Sequence, residues 1–246
     1  MSWIITGTYK GLVSDADANA YLAAVQAADG QLLEPDVRLA VEAFVVGCKA
    51  DGIWNAIKAS CILAGAHTLN GALVPLVGTA PTNYNFVSGD YNRETGLVGD
   101  GSTKYLDSNR NNNADPQNNR HLSFYSSTAP FSSPIGCIAQ GGSYIAGTYT
   151  SLANSVGQSG FTTSNTGFTG ASRSQASVYT GRTGAVNYSI FNSSTLPTSI
   201  NIDVFRLGAN FSSNRLAFYS IGESLDLALL DARVTTLMSD LAAAIP

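Results

Sequence analysis

Residues 70–101 read NGALVPLVGTAPTNYNFVSGDYNRETGLVGDG. Turn-forming groups interrupt this stretch at Asn70-Gly71, Ser88-Gly89-Asp90 and Gly99-Asp100-Gly101, at intervals suited to short strands. The same punctuation continues at Gly141-Gly142, Ser159-Gly160, Thr180-Gly181 and Thr183-Gly184. Between these signals the pattern predicts strands over 122–126, 135–139, 143–148, 177–179, 186–191, 202–207 and 216–221. Alternation is clearest in Asn201-Ile202-Asp203-Val204-Phe205-Arg206-Leu207, a strand with one buried face in which Phe205 is out of phase. Short strands at this density predict a mainly β fold, a sandwich or jelly roll. The run NRNNNADPQNN at 109–119 is too polar for a core and is expected to be a loop.

Outward from this region the texture changes near residue 67. Residues 1–12 form an expected extended arm with Trp3, Ile4, Ile5 and Tyr9, suited to a sheet edge or a neighbouring subunit. Ser14 before Asp15-Ala16-Asp17 predicts a capped helix to about Ala28, with Ala18, Tyr21, Leu22 and Val25 as its apolar stripe and Gly30 as its stop. A second helix opens at Pro35, carries Val37, Val41, Phe44, Val45 and Cys48, and closes at Gly52. The spacing of Ile53, Trp54, Ile57 and Cys61 predicts a third helix over 53–64. At the other end, Ser224 caps an expected helix over 224–244 whose stripe is Leu227, Leu230, Val234, Leu237 and Leu241. The expected organisation is therefore an arm (1–12), a helical segment (13–66) and a β-sandwich with its closing helix (67–246).

Charged residues are only 12% of the chain, while 44% are hydrophobic, too many for disorder. The surface is thus expected to be covered by Ser, Thr, Asn and Gln, which suits protein contacts or neutral ligands. A net charge of −4 gives no electrostatic reason to expect nucleic acid. The apolar stretch 225–245 is broken by Asp226, Asp231, Arg233 and Asp240, so no membrane insertion is expected. Met1–Gly7 lacks a basic region followed by a sustained apolar run, so no signal peptide is expected. Cys48, Cys61 and Cys137 are expected to be buried, reduced thiols, the first two on helices and the third on a strand.

Catalytic patterns are sparse. Between residues 67 and 222 the acids are Asp90, Glu94, Asp100, Asp107, Asp115 and Asp203. Glycoside hydrolysis needs two carboxylates about 5–9.5 Å apart. Asp90 and Glu94 have a matching spacing but flank a turn. His67 and His121 are the only imidazoles, without a zinc-ligand pattern or a nucleophile elbow, and Gly141-Gly142 lacks the residues of a phosphate loop. Asp100, Asp107 and the Asn-rich loop offer oxygens to calcium, although an Asp-Gly hairpin accounts for Asp100. No catalytic, metal or cofactor site is assigned. For glycans, Tyr144, Tyr149, Tyr179 and Tyr188 lie among amide side chains, and strand packing is the simpler account of them.

Four segments carry a family resemblance: VQAADGQLLEP (25–35), FVVGCKADGIWNAIKASCILAGA (44–66), PLVGTAPTNYNFVSGDYNRETGLVGDGSTKYLDSNRNNNADPQNN (75–119) and FYSIGESLDLALLDARV (218–234). They resemble tailed-bacteriophage virion surface proteins, of tail-fibre or head decoration/appendage type, with concanavalin A-like (laminin-G-like) jelly rolls. The resemblance implies a virion component, assembled in the host cytoplasm, with a jelly-roll sandwich, a helical N-terminal segment and a closing helix; with catalytic patterns sparse, a non-enzymatic structural protein is expected. Its expected partners are other virion proteins and further copies of itself. A carbohydrate-binding adhesin for a host surface glycan is the alternative, and an atypical glycoside hydrolase the third reading.

Overall fold

The computed structural model describes residues 14–128, 134–147, 149–154, 158–159 and 166–246. The expected arm, the strand end at Thr148 and Gly160 of the Ser159-Gly160 turn lie outside the described residues. The first half holds α1 (Ala16–Asp29), α2 (Pro35–Ala50), β1 (Ile57–Ile62), α3 (Leu69–Ala72), β2 (Thr82–Tyr84), β3 (Tyr91–Asn92), β4 (Gly96–Val98), β5 (Tyr105–Asn111) and β6 (Arg120–Ser126). Next come β7 (Ile135–Gly136), β8 (Ser143–Ala146), β9 (Tyr149–Leu152), β10 (Gln158–Ser159), β11 (Gly167–Arg173) and β12 (Val178–Thr183). The chain closes with β13 (Val186–Phe191), β14 (Asn201–Val204), β15 (Arg206–Leu207), β16 (Asn210–Phe211), β17 (Arg215–Gly222) and α4 (Leu227–Ala244).

The protein is mainly β. The first sheet runs β13-β12-β11-β6-β17-β4-β3, and β1 also pairs with β17. The second runs β10-β9-β8-β7-β14-β5-β2. Leu122, Phe124, Leu216 and Tyr219 of the first sheet share a buried cluster with Leu106, Ile145, Leu152, Ile202 and Val204 of the second. The opposite face of the first sheet is covered by helices. There Phe218, Ala217 and Phe168 join Val41, Phe44 and Val45 of α2 and the stripe of α4. Phe44 meets Phe218 edge to face at 5.8 Å. Each stripe residue of α4, from Leu227 to Leu241, is at most 2% exposed. Full burial of such a side chain stabilises by roughly 1.5–3 kcal/mol, enough to hold the helix on the sheet.

Because helices cover one face and the second sheet the other, β17 is buried along almost its whole length. This position explains the one misread element. The expected helix over 53–64 is instead a single 3-10 turn, Trp54–Ala56, followed by β1. Its apolar residues fit both periods, and length alone does not separate them. As a strand, β1 sends Ala59 and Cys61 to the inter-sheet core and Ile57 and Ile62 to the helical side. Ser60 donates its hydroxyl to the Tyr219 carbonyl at 2.7 Å. A strand from the N-terminal segment is thus stitched into the first sheet beside a strand near the C-terminus, across the texture change at residue 67.

Smaller expectations shift as well. Asp15, not Ser14, caps α1, accepting from the Asp17 and Ala18 amides, while Gly30 sits at φ 70° as the left-handed stop. Asp226, not Ser224, caps α4. Asn70-Gly71 lies in α3 and Thr180-Gly181 lies inside β12, whereas Gly184 does turn the chain between β12 and β13. The Asn-rich stretch is not wholly a solvent loop: β5 runs to Asn111, and Asn112 and Asp115 are buried. All three cysteines are free and buried, Cys61 on β1 instead of a helix and Cys137 just beyond β7. Among the described residues no helix is long and apolar enough to cross a membrane.

Candidate functional site

The second sheet turns one face to the core and the other away from it. Leu106 and Ser108 of β5, with Ile202 and Val204 of β14, are buried, so Tyr105, Asp107, Asn201 and Asp203 project to the outer face. Register then aligns one row across five strands. Tyr144 opposes Gly136, Gly136 opposes Asp203, Asp203 opposes Asp107, and Asp107 opposes Thr82. A side chain at Gly136 would begin 2.2 Å from Cβ of Tyr144, so this position opposite the tyrosine has room only for glycine.

Arg206 reaches this row through a phase change. Continued alternation would put Phe205 outside and Arg206 inside. Phe205 instead adopts φ 69°, a left-handed conformation costly for a bulky residue. The strand turns there, Phe205 is buried against Phe86 at 5.0 Å, and Arg206 emerges on the outer face. Its Nε donates to Oδ2 of Asp203 at 2.9 Å, and Nη2 lies 2.8 Å from the same oxygen in an ion pair. Its guanidinium lies 3.4 Å over the ring of Tyr105. Tyr84 stacks on the same ring at 4.3 Å and 4°. Since β2 and β14 flank β5 on opposite sides, both faces of Tyr105 are covered.

The two carboxylates differ in setting. Burial pushes the Asp203 carboxyl up to about 6, against the pull of Arg206, with the charge of Asp107 adding to the rise. Asp107 accepts from Nδ2 of Asn201 at 3.0 and 3.1 Å and from the Asn109 amide at 2.7 Å. The row therefore presents the half-buried Asp107 carboxylate and neighbouring amides, while Asp203, 8% exposed, is held by Arg206; Tyr149 is exposed two strands from Gly136 and Tyr84 at the far edge. It is equipped to accept hydrogen bonds from hydroxyl donors.

Elsewhere, groups that look reactive serve the chain itself. Nδ1 of His121 lies 2.6 Å from the Glu223 carbonyl and so must donate to it, which leaves Nε2 to accept from the Ser220 hydroxyl at 2.8 Å. This serine–imidazole pair is at most 1% exposed, and burial pushes the imidazole down to about 4, so it is neutral at pH 7. Arg120 donates to the carbonyls of Asn112 (2.9 Å), Asp115 (2.5 Å) and Pro116 (3.1 Å), pinning the Asn-rich segment. Asp115 is clamped by both Nε and Nη2 of Arg110. Arg173, wholly buried, donates to the carbonyls of Leu152, Gln175, Ala176 and Asn192 and to Oδ1 of Asn154.

Of the other candidates, Asp90 accepts from Lys104 and from the Val87 amide, and Glu94 is exposed in the turn after β3. Asp100 accepts from the amides of Ser102, Thr103 and Lys104, a local turn that employs its carboxylate fully. His67 contacts the Leu32 carbonyl on the helical side, far in sequence from His121. Tyr179 is core, bonded to Thr150, and Tyr188 is half-buried against the same core. Among the described residues no cluster of three His, Cys, Asp or Glu side chains is placed to hold a metal. The Asp107–Asp203 pair escaped sequence reading because its members belong to distant strands. The outward phase of Asp203 in Asn201-Ile202-Asp203-Val204 was its only signal. No family profile matches this chain, and no curated protein matches it.

Proposed function

We propose that the chain is a non-enzymatic structural protein of a bacteriophage particle, a surface decoration, appendage or tail-fibre component built on a concanavalin A-like jelly roll. It acts through contacts with other virion proteins and further copies of itself. The supporting observation is the use made of the interior polar groups: His121, Arg120, Arg173 and Asp115 spend their hydrogen bonds on their own backbone and on one another. Such networks fix a shape and leave the surface to act. Two antiparallel sheets around a shared core accord with the jelly roll, and the sequence resemblance supplies the setting. The test is a reconstruction of purified particles of the phage that encodes the chain. Density for it on the particle exterior is expected; particles complete without it would overturn the proposal.

One observation favours the adhesin as a second reading. The Tyr144–Asp203–Asp107–Thr82 row joins aromatic surface to hydroxyl-accepting groups on an outer sheet face. The covered faces of Tyr105 count against it, since ring faces are what a sugar stacks on. Glycan-array binding that disappears in Tyr144→Ala and Asn201→Ala would favour this reading. An array on which the wild-type protein binds nothing would end it.

A further inference from the structure

The first sheet ends at β13 on one side and at β3 and β1 on the other, and the second ends at β10 and β2. An open sheet edge invites another strand, and most of these edges are protected. β3 and β10 are two residues long and β2 is three. β1 is covered by residues 76–77: the Leu76 amide donates to the Ser60 carbonyl and the Ser60 amide to the Val77 carbonyl. β13 differs. It is six residues long, carries no charge and no proline, and runs beside β12 without a bulge. Among the described residues no strand pairs with its outer side. Asn187 and Ser189 are exposed, and Phe191 is 81% exposed. The turn into β13 sets which backbone groups face outward. Gly184 and Ala185 have φ 55° and 62°, a type I′ turn closing on the hydrogen-bonded pair Thr183–Val186. Alternation then points the amides and carbonyls of Asn187, Ser189 and Phe191 away from β12.

We infer that β13 pairs antiparallel with β13 of a second copy, about a two-fold axis that passes beside Ser189 and joins the two first sheets into one. Opposed residues must share a face, so Ser189 meets the partner's Ser189 and Asn187 meets the partner's Phe191. The three outward-facing residues of each strand then exchange backbone hydrogen bonds, and the exposed ring of Phe191 lies on the partner's strand. Charge favours a copy as the occupant. Near a two-fold axis a charged side chain faces its own like, and this strand has none. Arg182, one strand inward, is held by Asp231 of α4. Six residues a side fall short of the roughly 20–30 of a stable interface, so the dimer is weak until copies are held together. The inference gives a surface to the contact between copies in the proposal above, but it needs no virion and is decided in solution.

Cross-linking of the full chain tests it. Ser189→Cys sets two thiols across the axis with Cα atoms about 5.5 Å apart, within disulfide range. Thr236→Cys, also exposed but on α4, is the control. The native thiols are buried and do not compete. Pairing predicts that Ser189→Cys forms disulfide-linked dimers at least about tenfold faster than Thr236→Cys, as a raised effective concentration requires. Sedimentation velocity at rising concentration should show wild type moving from monomer towards dimer. Ser189→Lys, which opposes like charges at the axis, should move that midpoint at least about tenfold higher. Equal cross-linking at the two positions, a wild-type chain that stays monomeric, or self-association indifferent to Ser189→Lys would overturn the inference. All three substitutions are at exposed positions, and thermal melts show whether each variant is folded.

Discussion

Two interiors lie back to back across the first sheet, and they are built on opposite principles. Under the helices the packing is mostly apolar: Phe44 on Phe218, with Leu230, Val234 and Leu237 of α4. Ion pairs such as Arg233 with Asp51 and Arg182 with Asp231 stand at its margins. Between the sheets the centre is apolar too, but polar residues are built into it. Arg173 and Arg120 are buried there and bonded mostly to carbonyls, whereas the His121–Ser220 pair lies on the helical face, at the end of the sheet. An apolar layer tolerates variation of similar volume, whereas a buried cation with five acceptors admits little else. The difference shows where shape is fixed in this molecule. The helices are attached by area, and the loops at the ends of the strands are attached by arginine.

The largest effect should come from breaking the polar interior. Arg173→Met removes a buried cation and takes its hydrogen bonds from the carbonyls of Leu152, Gln175 and Asn192. A loss of about 3–5 kcal/mol is expected in denaturant unfolding, with the loop after β13 losing its hold on β11. Leu230→Ala in the apolar interior should cost somewhat less, about 2–4 kcal/mol, because the layer can partly collapse around the gap. If Arg173→Met proved the milder of the two, the contrast between the interiors would fail.

A smaller effect belongs to the outer face. The folded-state pKa of Asp203 is raised to about 6, so the folded protein holds this proton longer than the unfolded chain. Stability contributed at Asp203 is therefore present at low pH and is lost as pH rises from about 4 to about 6. Other carboxylates, such as Glu34 beside Arg93, are held low and act in the opposite sense. The readout is thus the difference between wild type and Asp203→Asn. Wild type should lose roughly 2–3 kcal/mol relative to the variant across that window, and a flat difference would show that Arg206 cancels the burial.

Much of the fold was legible in the sequence, and its limits follow from the same contrast. The stripes of α1, α2 and α4 were readable because one face of a helix repeats locally. Strands such as β6, β13 and β17 were readable from turn chemistry on either side. Residues 53–64 were not, because a strand buried on both faces loses its alternation and imitates a helix. The buried status of Asn112 and Asp115 was illegible as well, since it depends on Arg120 and Arg110 folding back onto them. At the candidate site, Asp203 and Asp107 meet only through register, and Arg206 joins them only because Phe205 takes a left-handed conformation.

The central claim is that helices and sheets, despite their different sequence textures, form one cooperative structure with β1 as the stitch between them. Native-state hydrogen exchange on the full chain tests this directly, comparing amides of α2 with those of β6 and β17. The account predicts that the slowest amides in all three elements open with the same free energy and lose it together in denaturant. Slowest amides of α2 exchanging through a separate opening, several kcal/mol easier than that of β17, would contradict it.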